Sequence, residues 1–518
     1  KPAPTGTVEG GFTTRLHSNT LGTDNSLGLK GATDKFFGGL RIGQKTHQDY
    51  LQGGGDFVPN TRFNERSLNA QTGYTGGMGS FKVFYDYFEQ DLGMSVPPAQ
   101  PLVSKRGRHN AVWFQDLAHH LLSYQHTVYA GDFKWTAQAG YQYALRKLQT
   151  TADEPFVEMG LQTYTYETEL HLPSGNRSEY ILGFKGMTQT HRNLHDRASQ
   201  FLPDADMQDI GVLALVQQTF WEKLKVQGGF RYDINQVTTQ ALGTQGTADY
   251  HAPADKTFAS LTGSLGAVYS PTHRIMLRAN MAKAYRAPNL SELTSHGMHG
   301  NRFEQGNASL GPQDAYEADL SMHYHGEYLS YDLAGFYNHI NNYIYISPTA
   351  DTTANGTQIY RYAQANAALY GGEAGLHFHP QALPWLHLKS QYAMVIGAQD
   401  NGNSLPFIPA HKLKYEIRAK AQQLGFLQKP AIQLAGQTVL PQKNPAPNET
   451  PTEGYTLLHL RISSEIPTGR HAAQLSLSVR NLLDTQYISH LSTLKGLGFY
   501  NPGRNISLSL SLPFGLGL

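Results

Sequence analysis

The chain has no cysteine among its 518 residues, so neither disulfide nor thiolate chemistry is open to it. That absence fits an oxidising compartment, where stray thiols are a hazard. No apolar run approaches the ~18 residues that a membrane helix needs, and the mean hydropathy is −0.43. Charged residues make up only 16%, against roughly 25% in soluble domains. With 41 basic and 40 acidic residues the formal net charge is +1. No basic stripe marks a nucleic-acid partner, and none is expected. A Gly-x-Ser-x-Gly elbow, a His-Glu-x-x-His pair and a P-loop are all missing. No nucleophile stands out with its base, and no enzyme is expected. Nor does any linker divide the chain, although a soluble chain of this length would split into several domains.

What the chain has in quantity is tyrosine (30), phenylalanine (23) and glycine (52), arranged with a period of two. In Asn505–Phe514, Ile506, Leu508, Leu510 and Leu512 alternate with Ser507, Ser509 and Ser511. A sandwich strand with one wet face shows the same alternation. In a membrane barrel the faces swap: the aliphatic side meets lipid and the serines face the lumen. Phe81–Phe88, Val226–Asp233, Ala318–His325 and Leu458–Ser463 repeat the pattern. Their inward positions carry Asp, Arg and His, which a dry sandwich core could not hold unpaired.

Short turns (Gly76–Gly79, Pro173–Asn176, Ser270–Thr272, Gly326–Glu327, Pro467–Gly469) alternate with long polar segments. The long ones are Gln90–Ala118, Thr188–Asp206, Gln236–Lys256, Arg286–Gln313, Ser347–Gln358 and Leu440–Glu453. Outer-membrane barrels have short periplasmic turns and long extracellular loops. The expectation is an all-β, transmembrane antiparallel β-barrel of about 22 strands, an even number that puts both termini on the periplasmic side. Long strands such as Tyr328–Ile346 exceed the ~9–11 residues that cross a bilayer and must project beyond it. The chain shows no signal peptide at Lys1; an exported barrel is made with one, so it reads as processed or truncated.

Several segments, in order along nearly the whole chain, resemble the TonB-dependent outer-membrane receptors. They are GGFRYD (Gly228–Asp233), ANMAKAYRAPNLSEL (Ala279–Leu293), FEQGNASLGPQDAYEADL (Phe303–Leu320), ETPTEGYTLLHLRIS (Glu449–Ser463), VRNLLDTQYISHLS (Val479–Ser492) and NPGRNISLSLSLPF (Asn501–Phe514). Gln313-Asp314 departs from the family's usual Glu, and Gly515–Leu518 extends past the terminal aromatic. The resemblance implies that residues 1–518 are the receptor barrel. It also implies that the plug, which precedes the barrel in that family, is missing here, because TVEGGFTTRLHSNT (Thr7–Thr20) looks like a first barrel strand. SELTSHGMHGNRFEQGN (Ser291–Asn307) leans toward the zinc- and haem-type receptors, on a frame that siderophore receptors share.

The function implied is energised import of a scarce metal or metal chelate (iron-siderophore, haem or zinc) across the outer membrane of a Gram-negative bacterium. The implied partners are the TonB–ExbB–ExbD complex acting through the plug, outer-membrane lipid and lipopolysaccharide, and a small metal-containing ligand. No cofactor is required; zinc or an iron chelate would be cargo. The alternatives are a passive plugless large-pore channel, a receptor for a non-metal nutrient, and a surface adhesion barrel.

Site candidates sit on the long loops. His296 and His299, with Glu292 and Glu304, offer imidazole and carboxylate groups suited to Zn²⁺. The metal set is His296, His299 and Glu304; the bland alternative is a solvated loop. His191, His195 and Asp196 form a second group, whose spacing of four would share one face of a short helix. His109, with Arg106 and Arg108, could attract an anionic chelate or contact lipopolysaccharide. Tyr343, Tyr345, Tyr360 and Tyr362 flank one loop, as belt or strand extension, or as a stack for a flat ligand.

Overall fold

The computed structural model describes residues 5–151, 155–194, 200–246, 250, 252–299, 302–469 and 471–517. Twenty-two antiparallel strands close on themselves. The seam joins strand Thr7–His17 to the last strand, Asn505–Gly517, with Thr7 opposite Gly517 and His17 opposite Ser507. Three further short segments belong to connections: the hairpin of His296–His299 with Arg302–Gln305, and Gln423–Leu424. Closure leaves no unpaired backbone edge to meet lipid.

Alternation decides which face is which. Phe12, opposite Leu27, and Leu27, opposite Ile42, are exposed. So are Ile210 opposite Ile234, Tyr232 opposite Leu261, Leu265 opposite Met281, and Leu477 opposite Leu508. These rows form an apolar belt on the outside, where a bilayer would cover it. At the alternate positions the side chains bond one another. Arg231 donates through Nε to Asp233 at 2.7 Å. Asn280 donates to Asp319 at 3.0 Å, and Gln433 to Glu416 at 2.9 Å. Thr13 and Ser511 hydroxyls meet at 3.0 Å across the seam. The barrel is thus lined by a paired polar wall, and Ile506 and Leu508 (45% and 44% exposed) lie opposite in facing to Ser507 (8%).

One end carries both termini and tight connections such as 33–35, 77–78, 131–132 and 221–223; the other carries the long loops. The turn expected at Ser270–Thr272 is instead at 273–274, because its strand runs on to Thr272. Three long connections were not anticipated: 48–62, 400–411 and 481–504. The segment Val479–Ser492 reads in sequence as late strand. Its strand ends at Arg480, because Asn481 adopts φ 48° and turns the chain. The Asn481 side chain donates to the Thr485 carbonyl and accepts its N–H, at 2.9 and 2.8 Å.

Long strands do project. Leu329–Thr352 and Gln358–Phe378 stand above their neighbours as a two-stranded ribbon, with a bulge between Ile340 and Tyr343.

Candidate functional site

The described residues of the loop after strand Ile275–Arg286 form a packed body. It opens with a five-residue helix, Leu290–Thr294, whose start is locked by a capping box: the Asn289 side chain accepts from the Glu292 N–H, and Glu292 accepts from the Asn289 N–H. Leu290, Leu293 and Leu310 then pack with Ala205, Val237 and Ile344, so the loop is anchored by a small apolar core of its own.

The chain continues into the hairpin His296–His299 with Arg302–Gln305. The outer strand of this hairpin lies parallel to the free edge of the projecting ribbon, with Glu304 opposite Tyr360. An otherwise open edge is covered in this way. Gly306 makes the return possible: a Cβ there would lie 2.6 Å from the backbone nitrogens of Thr294 and Ser295.

Glu304 is the centre of this body. It is 1% exposed. Its Oε1 lies 2.9 Å from His299 Nδ1 and accepts from Arg302 Nε at 2.6 Å, and its Oε2 accepts from the Tyr362 hydroxyl at 3.1 Å. The Arg302 guanidinium lies over the Tyr360 ring, 5.1 Å from its centre. Burial pushes the Glu304 carboxyl up, but the hydrogen bond from His299 and the charge of Arg302 more than offset this and hold it below its ordinary value of 4.5.

The four candidates of this loop do not gather on one point. Glu292 is engaged by the capping box and by Arg286, whose NH1 reaches its Oε2 at 2.7 Å. His299 and Glu304 meet. His296 stands three residues from His299 on a strand, so the two side chains leave on opposite faces; His296 packs edge-on against Phe303, and His299 lies tilted against Phe201. No three-ligand group forms from His296, His299 and Glu304.

His191 is buried, with Nδ1 3.0 Å from the Pro203 carbonyl and Nε2 3.5 Å from Met159 Sδ, and so pins its loop. His195 and Asp196 lie outside the described residues. His109 is exposed and its carbonyl accepts from Arg62 NH1 at 3.0 Å. Arg106 and Arg108 are turned to the backbone, donating to the carbonyls of Asn19 and Leu21. Tyr343 and Tyr345 stack at 6.2 Å on the ribbon.

Two recesses border the loop. One, of about 750 Å³, runs along the inner wall, lined by Met207, Asp209, Arg231, Asp233 and Tyr285 and closed by the Ala287–Leu290 segment. The other, of about 480 Å³, is lined by Glu292, Tyr343, Tyr345, Tyr362 and Phe407. Together they offer polar and aromatic walls at the mouth of the barrel.

Two further groupings of titratable residues depend on the fold: one joins two loops distant in sequence, the other folds a short connection back on itself. Glu449 and His490, both nearly buried, pair at 3.2 Å between two loops. His377, His379 and His387 cluster at the opposite end, with His377 Nε2 3.0 Å from His387 Nδ1. A third, of His17, Asp24 and His47, lies at the seam.

A family model described as "TonB dependent receptor-like, beta-barrel" matches residues 4–482. The chain belongs to that family, whose members are outer-membrane transporters of Gram-negative bacteria and not enzymes. Among solved structures it is similar to the copper transporter OprC, at 17% identity and TM-score 0.82, covering 99% of this chain and 81% of that one. It is similar also to the FrpB iron transporter from Neisseria meningitidis, F3-3 variant, at 14% and 0.76, covering 98% and 81%. A third is the Serratia marcescens hemophore receptor HasR, solved with its hemophore HasA and heme, at 14% and 0.74, covering 99% and 81%. At these identities the likeness establishes the fold.

Proposed function

We propose that the protein imports a scarce metal or metal chelate, with energy delivered through TonB. The carrying observation is the loop after strand Ile275–Arg286: Leu290, Leu293 and Leu310 anchor it on an apolar core, and its Ala287–Leu290 segment borders a recess on the inner wall. Ligand would be taken at the mouth by loop groups such as His299, with His296, Glu304 and the aromatic recess beside them. The proteins similar in fold include copper, iron and hemophore-haem systems, which favours a metal-containing cargo. No resident cofactor is part of this reading.

The outer membrane holds no ATP, so the pull must come from the inner membrane. In this reading a plug domain preceding the barrel contacts TonB, and ExbB and ExbD drive it; lipid and lipopolysaccharide cover the apolar belt.

Uptake of labelled Zn²⁺, haem and a ferric chelate by cells producing the full-length receptor, with and without functional TonB, tests the reading. Import of at least one cargo should need TonB and fall in His296→Ala, His299→Ala. Equal uptake without TonB would favour a passive large pore.

A further inference from the structure

The seam of the barrel brings together three residues from its first three strands. His17 ends strand Thr7–His17, Asp24 is near the start of Gly22–Ala32, and His47 ends Phe36–His47. Leu16, Leu27 and Ile42 of the same strands lie on the exposed apolar belt. His17, Asp24 and His47 are each an odd number of residues away and so face the lumen, just inside the mouth. We propose that they form a binding site for one borderline divalent cation, Zn²⁺ or Cu²⁺. The proposal concerns binding alone and stands whether or not the transport reading does.

The geometry is convergent. His17 Nε2 lies 3.1 Å from Asp24 Oδ2, and His47 Nε2 lies 2.8 Å from Asp24 Oδ1. One ligand atom from each residue falls within 4.8 Å of the others, the only such group of three among the described residues. Four-coordinate zinc with ~2.0–2.2 Å bonds separates its ligand atoms by about 3.3 Å. The present spacing needs small shifts to admit the ion.

The outer contacts match those of a ligating imidazole. A metal-bound histidine uses one nitrogen for the ion and donates the other N–H to an acceptor. Here both Nδ1 atoms meet hydroxyls: His17 with Ser507 at 3.0 Å, and His47 with Thr20 at 2.7 Å. A hydroxyl can donate or accept. Each ring can therefore shift its proton from Nε2 to Nδ1 without losing a bond there. With both Nε2 lone pairs turned inward, a carboxylate and two imidazoles face one point, the donor set a borderline cation takes.

The site is also held rigid. The His47 ring stacks on Phe63, 4.3 Å between centres and 11° between planes. Gly22 is the notch that admits it, since a Cβ there would lie 2.2 Å from His47 Nδ1. Two imidazoles with one carboxylate select Zn²⁺ or Cu²⁺ over Ca²⁺ and Mg²⁺, which prefer all-oxygen shells.

The test is equilibrium dialysis of the detergent-solubilised full-length protein, stripped of metal, against Zn²⁺ and separately Cu²⁺, with bound metal measured elementally. Two substitutions probe the site itself: Asp24→Asn removes the charge, and Gly22→Ala displaces the His47 ring while keeping all three ligand residues in the sequence. Each should lose one equivalent of metal against wild type. The pair Thr20→Val, Ser507→Ala, which leaves all ligands and Gly22 untouched, should weaken binding about 10–100-fold. The metal should also raise the thermal midpoint of wild type more than that of Asp24→Asn. A response to only one of the two ions identifies the cation. Unchanged stoichiometry and affinity in the Thr20→Val, Ser507→Ala protein, or in whichever of Asp24→Asn and Gly22→Ala folds, overturns the proposal and leaves a hydrogen-bonded triad.

Discussion

His299 Nδ1 lies 2.9 Å from Oε1 of Glu304, a carboxylate buried to 1% exposure in a loop at the mouth of the barrel. That contact ties the tip of the 287–312 loop to its return strand, with Arg302 and Tyr362 completing the shell. Replacing Glu304 by Ala leaves the Arg302 guanidinium without its carboxylate. Breaking a buried pair by removing one partner costs about 3–5 kcal/mol, and Arg302, being partly exposed, recovers some of it from water. The expected result is faster amide exchange over 296–307 with the barrel strands unchanged. Unaltered protection of the hairpin would refute the assignment.

The same carboxyl sets a pH dependence. Because Glu304 is held below its ordinary value of 4.5, it contributes stability above the ordinary carboxylate range and loses it as pH falls through the depressed folded value. Protection of the hairpin amides, taken relative to the unstructured rate at each pH, should stay flat down to about 4.5 and fall in stronger acid. In Glu304→Gln, which cannot ionise, this acid step should vanish.

Asn289→Ala removes one half of the capping box that starts the loop helix. Loss of such a cap costs about 1 kcal/mol. The loop should become more sensitive to protease between Pro288 and Thr294, while the thermal midpoint of the barrel moves little. Asn289→Ser, which keeps the acceptor, should restore resistance.

Much of the barrel was legible because strands such as the last announce themselves. The alternation in Ile506–Leu512 specifies both a strand and its lipid face without knowledge of any neighbour. Gly306-Asn307 was legible as a motif, but its reason is tertiary: only the folded loop shows backbone nitrogens 2.6 Å from where a Cβ would stand. The spacing of His296 and His299 suggested a shared ion in a turn-rich loop; the hairpin puts them on opposite faces. His17, Asp24 and His47 carry no local signal. Their meeting depends on register across three strands and on the closure that places Ser507 beside His17.

Asp49 is another such residue. Fully buried in loop 48–62, it receives the Thr61 and Arg62 N–H groups and the Arg62 guanidinium, with NH2 at 2.6 Å. Arg62 in turn donates to the carbonyls of Lys105 and His109, stitching loop 94–111 down. Asp49→Ala should cost about 3–5 kcal/mol of loop packing by stranding that cation. Cleavage within 94–111 under limited proteolysis should reveal it; a loop as resistant as wild type would show the clasp to be dispensable.

The facing of the last strand gives the sharpest test of membrane placement. Leu510 pairs with Leu475 on one side and Thr14 on the other, in the row that continues the exposed belt of Ile506 and Leu508. Ser509 pairs with Ser476 and Arg15, in the row that carries the Thr13–Ser511 bond. The two positions are adjacent in sequence, equal in strand propensity demand and equally close to the seam. They differ chiefly in which side of the wall they meet. An arginine on the lipid face near the midplane costs roughly 2–4 kcal/mol, whereas lumen positions tolerate charge. Leu510→Arg should therefore fold into lipid vesicles more slowly and in lower yield, read as the heat-modifiable band on a gel. Ser509→Arg should fold better than Leu510→Arg, its guanidinium in the polar lumen even though Arg15 stands opposite. The ratio of folded to unfolded protein at equilibrium in urea should differ between the variants by roughly 30-fold or more, the equivalent of about 2 kcal/mol. Equal folding of both, or a reversed order, would place the serines against lipid and turn the strand inside out.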